Sequence, residues 1–249
     1  MNNNNLSAIA VIPARYKSTR FPGKPLALLA GKPVIQHVYE AASSSGLFTE
    51  VIVATDDNRI VAAVTKFGGN AVMTASTHQS GTDRVAEACS NISGEIIVNI
   101  QGDEPFITSL PLSELLKAFS DKTVNVASLM NHFSEVSEIT NPNCVKVVCD
   151  CNNNALYFSR SVIPFNQDGS NVATYYRHIG VYAYRREALY NFVQLAPGKI
   201  EKLEKLEQLR LLENGIPIRM ILTDYSGIGI DTREDLLKAE KLIQQSLLH

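Results

Sequence analysis

Four cations, two aliphatic hydroxyls and one glycine crowd into the ten residues Arg15-Tyr16-Lys17-Ser18-Thr19-Arg20-Phe21-Pro22-Gly23-Lys24. This loop directly follows the apolar run Ala8–Ile12. Arginine offers a forked pair of donors, lysine a mobile point charge, and a turn exposes backbone N–H groups. Such a set can wrap a triphosphate. It is neither G-x-x-x-x-G-K-[S/T] nor G-x-G-x-x-G, so a Walker loop and a dinucleotide fingerprint are both excluded. The plainer alternative is a solvated basic turn. A position straight after a buried first strand favours the polyphosphate reading.

Two acidic segments supply the complementary chemistry. Gln101-Gly102-Asp103-Glu104-Pro105 follows the very apolar run Ile96–Ile100. A carboxylate fixed at the end of a rigid strand suits Mg²⁺, which demands oxygen ligands in tight octahedral geometry. The alternative is an Asp that caps a turn begun by Pro105. One carboxylate holds Mg²⁺ poorly, and Asp231, in Gly227-Ile228-Gly229-Ile230-Asp231-Thr232, is the expected second one. Asp231 also fits a helix N-cap, with Glu234 three residues on, and both roles can hold at once. In His78-Gln79-Ser80-Gly81-Thr82-Asp83-Arg84, Ser80 and Gly81 can place N–H groups at a helix start, a site for an anion or polar ligand. An ordinary N-cap at Thr82 is the alternative there. Asp57 is expected to cap the helix beginning near Asn58.

These loops need a scaffold, and the hydrophobic pattern provides one. Strand-like runs cover Ala8–Ile12, Val51–Ala54, Ala71–Met73, Ile96–Ile100, Val124–Leu129, Val145–Cys149, His178–Tyr184 and Ile218–Leu222. Helical patterns cover Val34–Ser44, Asn58–Phe67, Thr82–Ser90, Leu110–Phe119, Arg186–Gln194, Ile200–Glu213 and Arg233–Leu247. The alternation predicts an α/β fold with a mostly parallel sheet. Ligands in such sheets bind beyond the carboxyl ends of the strands. From Val124 to Tyr184 strands follow one another with few helices, which predicts a mixed region or flap. Within Ile200–Glu213, Leu203, Leu206 and Leu209 form an expected buried stripe, and Glu201 and Lys205 an i,i+4 pair.

Composition narrows the class. The 249 residues fit one large α/β domain, and 45% are hydrophobic against 19% charged. A net charge of −2 argues against a nucleic-acid partner, since phosphate backbones require an excess of cations. No run is long enough to span a bilayer, and no secretory leader is visible. The polar start, residues 1–7, reads as a disordered tail. Cys89, Cys144, Cys149 and Cys151 form no C-x-x-C pair and read as reduced thiols of a cytoplasmic protein.

The loop from Ala14 to Pro25, continued by Gly31-Lys32-Pro33-Val34-Ile35-Gln36-His37-Val38, resembles the signature of the sugar nucleotidyltransferases in their CMP-Kdo synthetase form. The strings around His78–Arg84, Gln101–Pro105, Tyr157-Phe158-Ser159-Arg160, Leu206–Arg210 and Gly227–Thr232 are similar to that family's in type and order. The likeness runs from about Ile9 to Leu242. It implies a Rossmann-like three-layer α/β/α nucleotide-diphospho-sugar transferase fold, a mostly parallel mixed sheet with a smaller flap and dimerisation region. Residues 1–249 would be a single domain, with about 124–225 holding the sugar-binding and dimerisation part. The implied reaction is magnesium-dependent transfer of CMP from CTP to Kdo (3-deoxy-D-manno-octulosonate). The implied setting is lipopolysaccharide synthesis in the cytoplasm, by a homodimer.

By the same resemblance, Arg15 and Lys24 hold the CTP phosphates, with Arg20 a weaker contributor. Ala14, Ser80, Gly81 and Gln101 contact the nucleotide, and His78 and Arg84 are further contributors there. Asp103 and Asp231 hold Mg²⁺. Arg160, His178, Tyr182, Glu204, Glu207 and Gln208 line the sugar site. One departure stands out: Asn166-Gln167-Asp168 replaces a basic residue that some relatives carry, which leaves open how the sugar carboxylate is held. The rival readings are a cytidylyltransferase for another acidic sugar, such as sialic acid, and a non-catalytic nucleotide-binding relative.

Overall fold

The computed structural model describes residues 6–17, 20–133, 135–169, 174–227 and 229–246. Expectations for Asn2–Asn5, Ser18, Thr19, Ile228 and the Leu247 helix end lie outside the described residues. The chain divides into two compact units, Met1–Leu112 with Gly227–His249, and Ser113–Ser226.

In the first unit, β1 (Ala8–Ala14) is completely apolar as far as Ile12, and Ile9 to Ile12 have no exposed surface. A strand with both faces covered must have neighbours on both edges and helices above and below. After a two-residue hairpin, β2 (Leu28–Leu29) and β3 (Lys32–Pro33), come β4 (Glu50–Thr55), β5 (Ala71–Met73) and β6 (Ile96–Asn99). β1 pairs in parallel with β4 and β6, and β4 with β5. Helices α1 (Val34–Ser44), α2 (Asn58–Lys66) and α3 (Gly81–Ala88) make the crossovers. The loops after β1 and β6 therefore emerge side by side at the carboxyl edge. The C-terminal helix, Arg233–Ser246, returns to this unit. Phe21, Leu29, Val34, Ile230 and Ala239 form one buried cluster, so the basic loop and the Asp231 segment share a core. Ser7 is fastened rather than part of a tail, for its carbonyl accepts from the N–H groups of Glu95 (2.8 Å) and Ile96 (3.0 Å).

Helix α4 (Ser109–Lys117) leads the chain into the second unit. There β7 (Val126–His132) is followed by the short α5 (Val136–Ile139), β8 (Lys146–Cys149), β9 (Ala155–Ser159), β10 (Tyr176–Arg185), α6 (Arg186–Gln194), α7 (Lys199–Glu204), α8 (Leu209–Glu213) and β11 (Arg219–Leu222). β10 runs antiparallel to β7 and β8, β8 antiparallel to β9, and β7 parallel to β11. This is the mixed region expected from the sequence.

One expected element is overturned. Ile200–Glu213 is not a continuous helix. Lys205 adopts the left-handed conformation (φ 54°, ψ 45°) and separates α7 from α8. Leu203 consequently points outward and is 83% exposed, whereas Leu206 and Leu209 are buried. The expected Glu201–Lys205 pair is replaced by a two-pronged bridge from Arg210 to Glu201, at 2.8 and 2.6 Å. Glu213 on α8 accepts from the N–H groups of Lys199, Ile200 and Glu201, capping α7 from across the elbow.

Candidate active site

A cleft of about 420 Å³ opens beyond the ends of β1 and β6, lined by Ala14, Arg15, Lys24, Gly81, Gln101, Asp103 and Asp231, among others. Sequence separations of up to 207 residues close there. The Lys24 ammonium donates to Asp103 at 2.6 Å and to Asp231 at 3.2 Å. Burial works against its charge, but the two carboxylates outweigh it and hold its pKa above the ordinary value of 10.5. Arg20 reaches Asp231 at 3.2 Å. The two acidic residues expected to act as a pair are thus paired about one cation.

Backbone geometry sets these side chains. Gly23 is left-handed (φ 74°), and a Cβ there would stand 3.2 Å from the Tyr16 ring. Its N–H closes the turn on the Tyr16 carbonyl at 2.8 Å, and Lys24 opens a 3₁₀ turn directly after. The guanidinium of Arg59 covers the same Tyr16 ring at 3.3 Å. Gly102 allows two strand ends to meet, for its Cβ would lie 3.0 Å from the Pro13 carbonyl oxygen. The Ile230 N–H donates to the Asp103 carbonyl at 2.8 Å, which joins the two acidic segments by main chain.

The capping residues differ from expectation. Thr232, not Asp231, starts the C-terminal helix. Its hydroxyl accepts from the Asp235 N–H, while the Asp235 carboxylate accepts from the N–H groups of Asp231 and Thr232. Asp235 rather than Glu234 completes the box, and the Asp231 carboxylate is left to face Lys24. Likewise Ser80, not Thr82, caps α3. Its hydroxyl accepts from the Asp83 N–H at 3.0 Å and its own N–H donates to the Asp83 carboxylate at 3.1 Å. Ser80 is therefore committed to the helix, and Gly81 is the member of the pair that lines the cleft. Asp57 caps α2 as expected, accepting from the Arg59 N–H.

Arg15 donates to the His78 carbonyl at 2.9 Å, which fixes its guanidinium at the cleft wall. The His78 ring itself bonds Glu87. Arg84 is fully buried, with Thr74 as hydrogen-bond partner and Asp56 at 3.3 Å. It is a packed part of the wall rather than a cleft residue. Gln101 donates to Asn99 at 3.0 Å. Lys17 lines the cleft too, though the sequence reading gave it no separate role.

The remaining expected residues lie in the second unit. His178, on β10, faces Ser128 Oγ through Nε2 at 3.0 Å, with the Phe158 and Tyr182 rings at 5.0 and 5.3 Å. Burial, seconded by Arg177, pushes its pKa down to about 3. Burial raises Tyr182 well above 10, helped by Tyr184 and by Glu207. Gln208 is buried at the start of α8. Glu204 is spent internally, accepting from Ser159 Oγ (2.6 Å) and the Arg160 N–H (3.0 Å). The Arg160 guanidinium is likewise spent on the carbonyls of Glu204 (2.8 Å) and Pro142 (3.0 Å). The two residues brace each other. Ser128 and Lys146 were not singled out by sequence. The signal for Lys146 was a lone cation inside the valine run Val145–Val148.

A donor set of two carboxylates beside a cationic polyphosphate loop fits a divalent cation that shares its ligands with a nucleotide, for Mg²⁺ is commonly bound by one or two carboxylates plus phosphates. Among the described residues no cluster of three acidic, histidine or cysteine side chains forms an all-protein metal cage.

Comparison with known proteins agrees with this geometry. The family model described as Cytidylyltransferase matches residues 9–221. The chain is 50% identical over 248 residues to 3-deoxy-manno-octulosonate cytidylyltransferase of Thermodesulfovibrio yellowstonii, covering 94% of this chain and 97% of that protein. It is 49% identical to the enzyme of the same name from Flavobacterium johnsoniae, covering 96% and 99%. Among solved structures, CMP:2-keto-3-deoxy-manno-octonic acid synthetase complexed with CTP matches with a TM-score of 0.91 at 45% identity, over 96% of this chain and 99% of that one. The fold is thus the α/β nucleotidyltransferase fold, with a mixed, mostly parallel sheet. A 4-diphosphocytidyl-2C-methyl-D-erythritol synthase from Anaerococcus prevotii shares the fold alone, at a TM-score of 0.66 and 16% identity.

Proposed function

Because this chain belongs to the cytidylyltransferase family, with the family model spanning residues 9–221, we propose that it transfers CMP from CTP to the anomeric 2-hydroxyl of Kdo. The observation that carries the chemistry is the convergence of Asp103 and Asp231 on Lys24 in a cleft walled by Arg15. The relatives named for this reaction, about half identical over nearly their whole length, support Kdo as the acceptor.

The sugar oxygen bonds to the α-phosphorus as the bond from that phosphorus to the pyrophosphate oxygen breaks. Pyrophosphate departs, and the hydroxyl proton passes to solvent. Arg15, held by the His78 carbonyl, is preset to bind phosphate oxygens. Lys24 can exchange a carboxylate for a phosphate oxygen and offset charge on the leaving group. Gly81 presents the start of α3 to the nucleotide, and Ala14 and Gln101 line the same cleft. Asp103 and Asp231 would hold Mg²⁺, which when bound supplies positive charge to the phosphates and lowers the pKa of a nearby hydroxyl. In the second unit, His178, Tyr182, Glu207 and Gln208 are the proposed sugar contacts. Arg160 and Glu204 support them.

A homodimer is the assembly this reading carries, and exposed Leu156, Phe165 and Leu203 are apolar side chains available for an interface. No helix among the described residues is long and apolar enough to cross a membrane. Reaction of a cytoplasmic sugar acid, as a step of lipopolysaccharide synthesis, belongs to the same proposal. The test is pyrophosphate release from purified protein with CTP, Mg²⁺ and Kdo, each omitted in turn, and with UTP in place of CTP. Release that needs all three and fails with UTP is expected. Release only with another acidic sugar would move the acceptor assignment.

A further inference from the structure

Lys146 has no exposed surface, and among the described residues no carboxylate bonds its ammonium. Lysine is almost never fully buried without a partner, because removing its charge from water is costly. Here the partners are three backbone carbonyls: Asn141 at 3.0 Å, Cys144 at 2.8 Å and Arg160 at 2.6 Å. All three N–H donors are used, so the group gathers two chain segments at one point. The first is the turn Asn141–Cys144, which the Arg160 guanidinium also grips through the Pro142 carbonyl. The second is the end of β9. From there the Ser159 hydroxyl and the Arg160 N–H reach the Glu204 carboxylate, and Arg160 Nε reaches the Glu204 carbonyl. Glu204 is the last residue of α7, and left-handed Lys205 follows it at once. Glu207 and Gln208 come two and three residues after Lys205. The neighbouring Val145 carbonyl accepts from the His178 N–H at 2.9 Å, so the same strand sets the main chain of the histidine.

We propose that Lys146, acting through Arg160 and Glu204, is the positioning residue of the acidic-sugar half of the reaction, fixing the elbow that presents Glu207 and Gln208. This rests on the Kdo reading above and extends it to a residue that touches no substrate. Burial lowers the Lys146 pKa, and the nearby Glu204 carboxylate offsets this only in part. A merely structural lysine would weaken everything alike. A positioning one weakens the sugar side alone, since every residue of this network lies in the second unit and the CTP-side residues belong to the first.

The experiment compares full-length wild type with Lys146→Met by pyrophosphate release, varying Kdo at saturating CTP. CTP affinity is measured separately by calorimetry. The expected result is a KM for Kdo raised roughly 10-fold or more, as small displacements of positioning groups produce, with CTP affinity within about 2-fold of wild type. An unchanged KM for Kdo, or equal loss on both sides, overturns the inference. Should Lys146→Met not fold, Glu204→Gln, which keeps the shape and removes the charge at the other end of the network, decides by the same comparison. Wild type that turns over no acidic sugar at all overturns the Kdo reading, and this inference falls with it.

Discussion

Protonation of His178 gives a stability signal that follows directly from its surroundings. The ring packs against Phe158 and Tyr182 and meets Ser128 Oγ, and the charge of Arg177 opposes its protonation. Its pKa falls from 6.5 to about 3 on folding, with burial the main cause. The unfolded chain therefore binds a proton near pH 6 that the native protein refuses. Stability is intact above pH 6.5 and falls as the pH drops towards 3, by up to about 1.4 kcal/mol per unit. At pH 5 the loss is at most about 2 kcal/mol, a sizeable share of the stability of an ordinary domain. His178→Gln keeps a polar group and removes the titration. Urea unfolding of both proteins at pH 7.5, 6 and 5 is the assay. The other four histidines are common to both, so they cancel. Wild type should lose about 2 kcal/mol more than the variant between pH 7.5 and 5. Parallel pH profiles would show that the ring is protonated inside the fold, and would refute the reasoning.

Three further outcomes follow from named contacts. Lys24→Met leaves Asp103 and Asp231 without their shared cation and a phosphate without its donor, and kcat/KM for CTP should fall about 10²–10³-fold in a steady-state assay. Ser80→Ala removes the cap of α3, so the melting temperature should drop by the equivalent of about 1 kcal/mol; CTP affinity should change little, because the serine is committed to Asp83. Lys205→Gly relieves a left-handed residue at the α7–α8 elbow and should raise stability by about 1 kcal/mol in chemical denaturation.

Much of the fold was legible because it is local. Val34–Ser44 and Arg186–Gln194 match their helices to the residue, and Ala71–Met73 its strand. The basic loop and the two acidic segments were readable as chemistry, since their residue types leave few other uses. Four features lay beyond local pattern. The break at Lys205 depends on Glu213 and Arg210 gripping α7 from the next helix, so apolar spacing alone continues the helix through it. The caps at Ser80 and Thr232 each lie within two residues of the expected position, a margin that propensity does not resolve. Arg160 and Glu204 carry the charges a sugar site would use, but they are 44 residues apart and satisfy each other. Only the packing reveals this. Lys146 was hidden for the same reason, because a lysine in a valine strand does not disclose which carbonyls surround it.

In the proposed reaction a CMP group passes from CTP to the sugar hydroxyl. The most direct measurement is ³¹P NMR of a reaction of the purified protein with CTP, Mg²⁺ and Kdo. One new phosphodiester resonance and free pyrophosphate are expected, in equal amounts, with both absent when Kdo is withheld. Orthophosphate in place of pyrophosphate, or pyrophosphate accompanied by free CMP and no phosphodiester, would contradict the proposed reaction.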